Sequence, residues 1–219
     1  MTKHAIGGAE SAIRTLRRLA IAQPQIEQCD FCNAALETGH RHLFEVATGK
    51  IVCACDPCAL RFENVVGRWK LIPRDAIRLK GFQLSDADWE AFALPINLVF
   101  FFHSTRAGKT VAMYPSPGGA TESLLSMAIW DELVKTNPVL QKMQPDVQAL
   151  LVNRLGAANE YYVAPIDRCF ELVGIIRAHW KGFSGGAKVE EEIQAFFQRL
   201  TSCAKTPDEV ANELEASHA

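Results

Sequence analysis

The sequence has no strong charge excess, no long apolar run and no dispersed cysteine pattern, and each absence removes a class of function. Twenty-three Lys and Arg against 25 Asp and Glu give a formal charge of −2 over 219 residues, too little field to steer the chain broadly onto nucleic acid or an anionic membrane. The apolar run Leu98–Phe102 is far too short to span a bilayer. The N-terminal stretch Met-Thr-Lys-His-Ala-Ile-Gly-Gly lacks a charged segment followed by an apolar one, so a cytoplasmic location is expected. A reducing compartment keeps thiols free, and a dense cysteine cluster there reads as a metal site before it reads as a disulfide framework.

Of seven cysteines, five lie between positions 29 and 58. Cys29-Asp-Phe-Cys32 and Cys55-Asp-Pro-Cys58 are two C-x-x-C pairs separated by 22 residues. Each such turn converges two sulfurs on one ion, and two turns complete a tetrahedron. Between them, His42–Ala47 and Lys50–Cys53 flank Thr48-Gly49 as a tight hairpin. Asp56 then stands where a helix cap belongs, with Pro57 at the first helical position and Phe62, Val65 and Val66 at helical spacing beyond. Knuckle, hairpin and a helix carrying the second pair make a small treble-clef-like, four-cysteine module with zinc on Cys29, Cys32, Cys55 and Cys58.

Cys53 supplies a fifth sulfur and reads as a buried strand residue, an alternate ligand or a redox thiol. His40 and His42 are further alternate ligands, with surface or capping roles as the plainer reading. Iron is the alternative metal, although iron knuckles of the rubredoxin kind carry a glycine after the second cysteine, where this chain has Asn33 and Ala59. Asp30, Glu37, Glu45 and Asp56 outnumber Arg41 and Lys50 within the module, which argues against nucleic acid as partner.

Residues 9–22, with Ile13, Leu16 and Ala20 on one stripe, predict an N-terminal helix within a segment 1–23; the metal module then occupies 24–67. An α+β domain over 68–204 follows. Its expected strands are Arg68–Pro73, Ile77–Lys80, Asn97–His103, Thr110–Tyr114, Val147–Val152 and Tyr161–Ala164. Its expected helices start at Ser85, Thr121, Pro165 and near Val189. The alternation predicts an antiparallel or mixed sheet covered on one face by helices. Thr206-Pro-Asp-Glu209 is a capping box opening a C-terminal segment, 205–219.

Gly118-Gly119 before the expected Thr121 helix reads as a tight strand-to-helix turn, with an anion cradle at the helix N-terminus as the lesser reading. His103 and Cys169 are a base and a thiol with no spacing that pairs them, and no catalytic constellation emerges. An enzyme site in the α+β domain therefore stands only as a third reading.

The stretches Cys29-x-x-Cys32…His40-Arg-His-Leu43…Cys53-Ala-Cys-x-x-Cys-Ala-Leu60, Tyr114-Pro-Ser-Pro-Gly-Gly-Ala-Thr-Glu-Ser-Leu-Leu125, Pro145-Asp-Val-Gln-Ala-Leu-Leu-Val-Asn-Arg154 and Pro165-Ile-Asp-Arg-Cys169 resemble an uncharacterised bacterial family. Its genes lie near those of high-affinity, actinobacterial-type nickel–iron hydrogenases. The resemblance covers nearly the whole chain. It implies a hydrogenase accessory or assembly role exerted through a protein partner, a hydrogenase subunit or maturation factor.

Overall fold

The computed structural model describes residues 27–63, 65, 67–124, 127–182, 185–207 and 209. The expected helix over 9–22 lies outside them. The cysteine module begins with a hairpin of β1 (Arg41–Glu45) and β2 (Lys50–Ala54). Its turn carries Gly49 at φ +75°, a left-handed conformation that glycine adopts without Cβ strain. Helix α1 (Asp56–Glu63) follows, and β3 (Trp69–Leu71) returns to pair antiparallel with β1, giving the order β2-β1-β3. The core beneath is small: Leu43, Ala54, Ala59 and Trp69 are buried, with the Phe31 and Phe62 rings stacked 4.2 Å apart beside them.

The second sheet has six antiparallel strands in the order β4-β9-β8-β5-β6-β7, comprising β4 (Ile77–Arg78), β5 (Leu98–Ser104), β6 (Lys109–Ser116), β7 (Gly119–Ser123), β8 (Gln148–Asn153) and β9 (Glu160–Pro165). The period-2 alternation of β5 sends Leu98, Phe100 and Phe102 to one face and Val99 and Phe101 to the other, and all five are buried. The first face packs against α4 (Ile166–His179) and α5 (Ala187–Cys203). The second packs under α2 (Asp86–Ala91), α3 (Met127–Thr136) and a 3₁₀ turn at Pro138–Lys142. The α+β architecture is as expected, but both faces are covered and not one. The two-sided apolar character of β5 is the physical reason, since a half-solvated sheet would expose Phe101 and Val99.

The Tyr114–Ser123 stretch differs from expectation. Pro115 does not break the sheet and Thr121 does not open a helix. β6 runs on through Ser116, turns over Pro117 and Gly118, and returns as β7 with Tyr114 opposite Thr121 and Pro115 opposite Ala120. The β5–β6 ladder ends at the Phe100–Met113 pair, so Pro115 lies past the shared ladder and its missing N–H removes no bond to β5. Ser116 Oγ accepts from the Gly118 amide and donates to the Gly119 carbonyl, closing the turn with a side chain. Leu124, expected on a helical stripe, is 99% exposed beyond the end of β7.

Helix α4 ends where Lys181 and Gly185 bridge. Gly185 has φ +86°, and a Cβ there would come 2.8 Å from Val189 Cγ1 and 3.1 Å from the Trp180 ring. Gly185→Ala is therefore expected to lower stability by roughly 2 kcal/mol through left-handed strain plus overpacking. A denaturation midpoint equal to that of the native chain would contradict this.

The module docks on the larger sheet through Phe44 and Ile72, which join the core beneath α4. Thr206 and Glu209 form the expected capping box, with the Glu209 amide donating to Thr206 Oγ1 and the Thr206 amide to Glu209 Oε2. Among the described residues, no helix is long and apolar enough to cross a membrane.

Candidate metal centre

Cys29 and Cys32 sit on a tight knuckle. The Cys29 amide donates to the Ala34 carbonyl and the Asn33 amide returns to the Cys29 carbonyl at 2.8 Å. The knuckle needs a left-handed residue after the second cysteine, and Asn33 provides it at φ +59°; asparagine tolerates that region better than other non-glycine residues. The second pair is built differently. Cys55 precedes α1 and Cys58 lies in its first turn, with Pro57 where a missing N–H breaks no helical bond. Asp56 is held by Arg41 Nε at 3.0 Å. The positive end of the helix favours thiolate at Cys58.

These elements bring the sulfurs of Cys29, Cys32, Cys55 and Cys58 within 4.8 Å of one another, with Cys32 and Cys55 at 3.6 Å. A zinc–sulfur bond of about 2.3 Å gives a tetrahedral sulfur–sulfur edge of about 3.8 Å; the Cys32–Cys55 pair is close to that edge, and the other sulfurs lie near enough to share one ion with it. The cluster can hold a metal ion. Burial pushes the Cys29 thiol up, but the amides of Cys55, Phe31 and Cys32 pull it down to about 6. Burial and hydrogen bonding to the neighbouring thiols push Cys58 up to about 12. A cation at the centre suits this donor set, because it is what allows four adjacent sulfurs to ionise together.

Cys53, His40 and His42 do not join this cluster. They form a group of their own, with the Cys53 sulfur and one ring nitrogen of each histidine within 4.8 Å. β1–β2 pairing places His42 directly opposite Cys53. The hairpin expected at Thr48-Gly49 would have put Phe44 across from Cys53; the loop instead spans 46–49, Glu45 pairs with Lys50, and that register sets 42 opposite 53. Asp167, whose carboxylate at the start of α4 accepts a hydrogen bond from His42 Nδ1 at 2.7 Å, had no sequence signal, being 125 residues away.

The remaining candidates do not assemble. Gly118 and Gly119 belong to a β-turn that leads into β7, so the helix expected at Thr121, on which both readings of this turn relied, does not form there. Cys169 is fully buried on the core stripe of α4, where desolvation pushes its thiol far up, while His103 is exposed near the end of β5. A groove of about 1120 Å³ lies between the β8–β9 connection and α5, lined by Arg78, Asn153, Glu160, Phe197 and Thr201 among others. Neither Gly118 nor His103 lines it.

No curated protein and no solved structure matches the chain. One family model does, over residues 28–204, a span that takes in both cysteine pairs, the three-stranded module and the helix-covered sheet. The chain belongs to DUF5947, a family of unknown function.

Proposed function

We propose that this protein is a zinc-binding accessory protein whose tetrathiolate metal is structural, and which acts by binding a protein partner, a nickel–iron hydrogenase subunit or maturation factor. The convergence of four sulfurs within 4.8 Å of one another carries the first half of this reading. Four protein ligands leave no position for water or substrate, so such an ion supports architecture and not turnover. The partner is supported by the resemblance to proteins encoded beside actinobacterial-type hydrogenases. Zinc is favoured by the second pair, since Cys58 rides in the first turn of α1 with Ala59 inside the helix, where an iron site of two matching knuckles would need a left-handed residue. The second reading, a redox iron at the same sulfurs, is favoured by the left-handed Asn33 of the first knuckle.

Metal content and the visible spectrum of full-length protein purified without added metal decide between them. Zinc without colour is expected. Iron with thiolate charge-transfer absorption would replace the zinc reading with electron transfer. For the partner, the tagged full chain is recovered from hydrogenase-expressing cells; an identified hydrogenase subunit or maturation factor is expected with it. Recovery without any hydrogenase component would overturn that half alone.

A further inference from the structure

We infer that His40, His42 and Cys53 form a second, three-ligand metal site for a borderline divalent transition ion, separate from the four-cysteine cluster and open at its fourth position. The inference stands whether or not the four cysteines hold zinc.

The two histidines are already prepared as ligands. His42 Nδ1 donates to the Asp167 carboxylate at 2.7 Å, and His40 Nδ1 donates to the Glu37 carbonyl at 3.1 Å with Glu27 Oε2 at 3.5 Å. An N–H fixed on Nδ1 leaves the lone pair of each neutral ring on Nε2. The rings stand edge to face, centroids 4.7 Å apart, and one ring nitrogen of each lies within 4.8 Å of the Cys53 sulfur.

An ordinary structural histidine would have both nitrogens satisfied, and His40 does not. Its side chain is only 8% exposed, yet Nε2 is buried without any hydrogen-bond partner. Orphaning a buried polar atom is costly, and coordination to an ion removes that cost. Carboxylate, then histidine, then metal is also the usual construction around ligating histidines, and Asp167 supplies its outer member.

The donor set selects the ion. Two imidazoles and one thiolate suit zinc, cobalt, nickel or copper and disfavour magnesium or calcium, which take oxygen ligands. Three protein ligands leave a fourth position for water or for a donor from another molecule, so this ion is exchangeable where the tetrathiolate ion is not. The two sites are neighbours. The Cys53 amide donates to Asp30 Oδ2 at 2.6 Å and the Asp30 amide returns to the Cys53 carbonyl at 2.9 Å, tying β2 to the first knuckle. Asp167 adds a link to α4, so the site joins the small module to the larger sheet.

The test strips full-length protein of metal and titrates it with cobalt(II) alone, reading stoichiometry by metal analysis and ligand type by visible absorption. Wild-type protein is expected to bind two equivalents. Cys53→Ala and His42→Ala are each expected to remove one, together with the weaker charge-transfer component of a single thiolate, while the stronger tetrathiolate bands persist. Cys55→Ser is expected to remove both equivalents, because the module that carries the second site unfolds without the tetrathiolate ion, whereas Cys53→Ala and His42→Ala remove only the second; the two patterns separate failure at the four cysteines from failure here. Asp167→Asn leaves all three ligands in place and guards against a ligand variant that misfolds; it is expected to weaken the second equivalent by about 10–100-fold. The lack of a second equivalent in wild-type protein that shows the tetrathiolate bands, or a second equivalent undiminished in Cys53→Ala and His42→Ala, overturns the site.

Discussion

Cys55→Ser is expected to release the tetrathiolate ion and unfold residues 27–71 as a unit, while the six-stranded sheet keeps its protection. The energetics require a strong tie at this point. The module's own core consists of Leu43, Ala54, Ala59 and Trp69, and full burial of a large apolar side chain contributes only about 1.5–3 kcal/mol. Against that, each ordered residue costs roughly 1–2 kcal/mol in backbone entropy. Structural zinc contributes about 10–16 kcal/mol in small peptide systems at neutral pH, comparable with the whole stability of an ordinary domain, about 5–15 kcal/mol. The sheet is differently placed, because the face that packs Phe101, Trp130, Leu133 and Leu150 belongs to a cluster with no residue from the module. Hydrogen exchange by segment is the measurement: β1, β2 and β3 should lose protection and β5, β8 and β9 should retain it. A strong chelator should reproduce the pattern on the native sequence. Unchanged protection in β1 and β3 after loss of the metal would sink the structural role.

The parts of the fold legible in the sequence were those where one local signal agreed with burial. Ser85 caps α2, its Oγ accepting from the Asp88 amide at 3.1 Å. The stripe Ile166, Cys169, Val173 and Ile176 lies on the buried side of α4. The Tyr114–Ser123 stretch was illegible for a physical reason. Pro-Ser-Pro-Gly-Gly reads as a break, and nothing local announces that β5 stops pairing before Pro115 or that Ser116 closes a two-strand turn with its hydroxyl. Burial of both sheet faces was half legible: the all-apolar β5 implied it, while the short α2 and the 3₁₀ turn that supply much of the second cover have weak periodicity.

At the candidate site, chemistry was legible and grouping was not. Spacing alone pairs Cys29 with Cys32 and Cys55 with Cys58, because a C-x-x-C turn is a local object. Assigning Cys53, His40 and His42 needs the hairpin register and the long-range contact with Asp167, and a list of ligand-type residues cannot distinguish a fifth donor to one ion from the first donor to another. The same limit hid the contact that fastens the module to the sheet, since Lys70 and Asp146 are 76 residues apart.

Asp146→Asn is expected to cost about 2–4 kcal/mol at neutral pH. Asp146 is 1% exposed; its Oδ2 meets Lys70 Nζ at 2.6 Å, its Oδ1 accepts from the Thr105 amide at 2.7 Å, and its own amide donates to the His103 carbonyl. Lys70 belongs to β3 and Thr105 to the turn after β5, so one carboxylate joins the two sheets. Removing one member of a buried pair costs about 3–5 kcal/mol, and partial exposure of Lys70 lowers the expectation by about 1 kcal/mol. Asparagine is the informative replacement, because Asp146 has φ +71° and asparagine accepts that conformation where alanine would add strain. Burial pushes the Asp146 carboxyl up, but Lys70 and the Thr105 hydrogen bonds outweigh it and hold it below the usual carboxylate range. Its contribution is therefore full above the unfolded value of about 3.9 and disappears as pH falls through the lower folded value. Denaturant unfolding of both chains should show a constant gap from pH 7 down to about pH 5, closing at lower pH. Pairing Asp146→Asn with Lys70→Met should cost less than the two single changes summed, because the orphaned partner is what each single change leaves behind. Equal stability of the native and Asp146→Asn chains at pH 7 would show that the apolar seam of Phe44 and Ile72 holds the module without the ion pair.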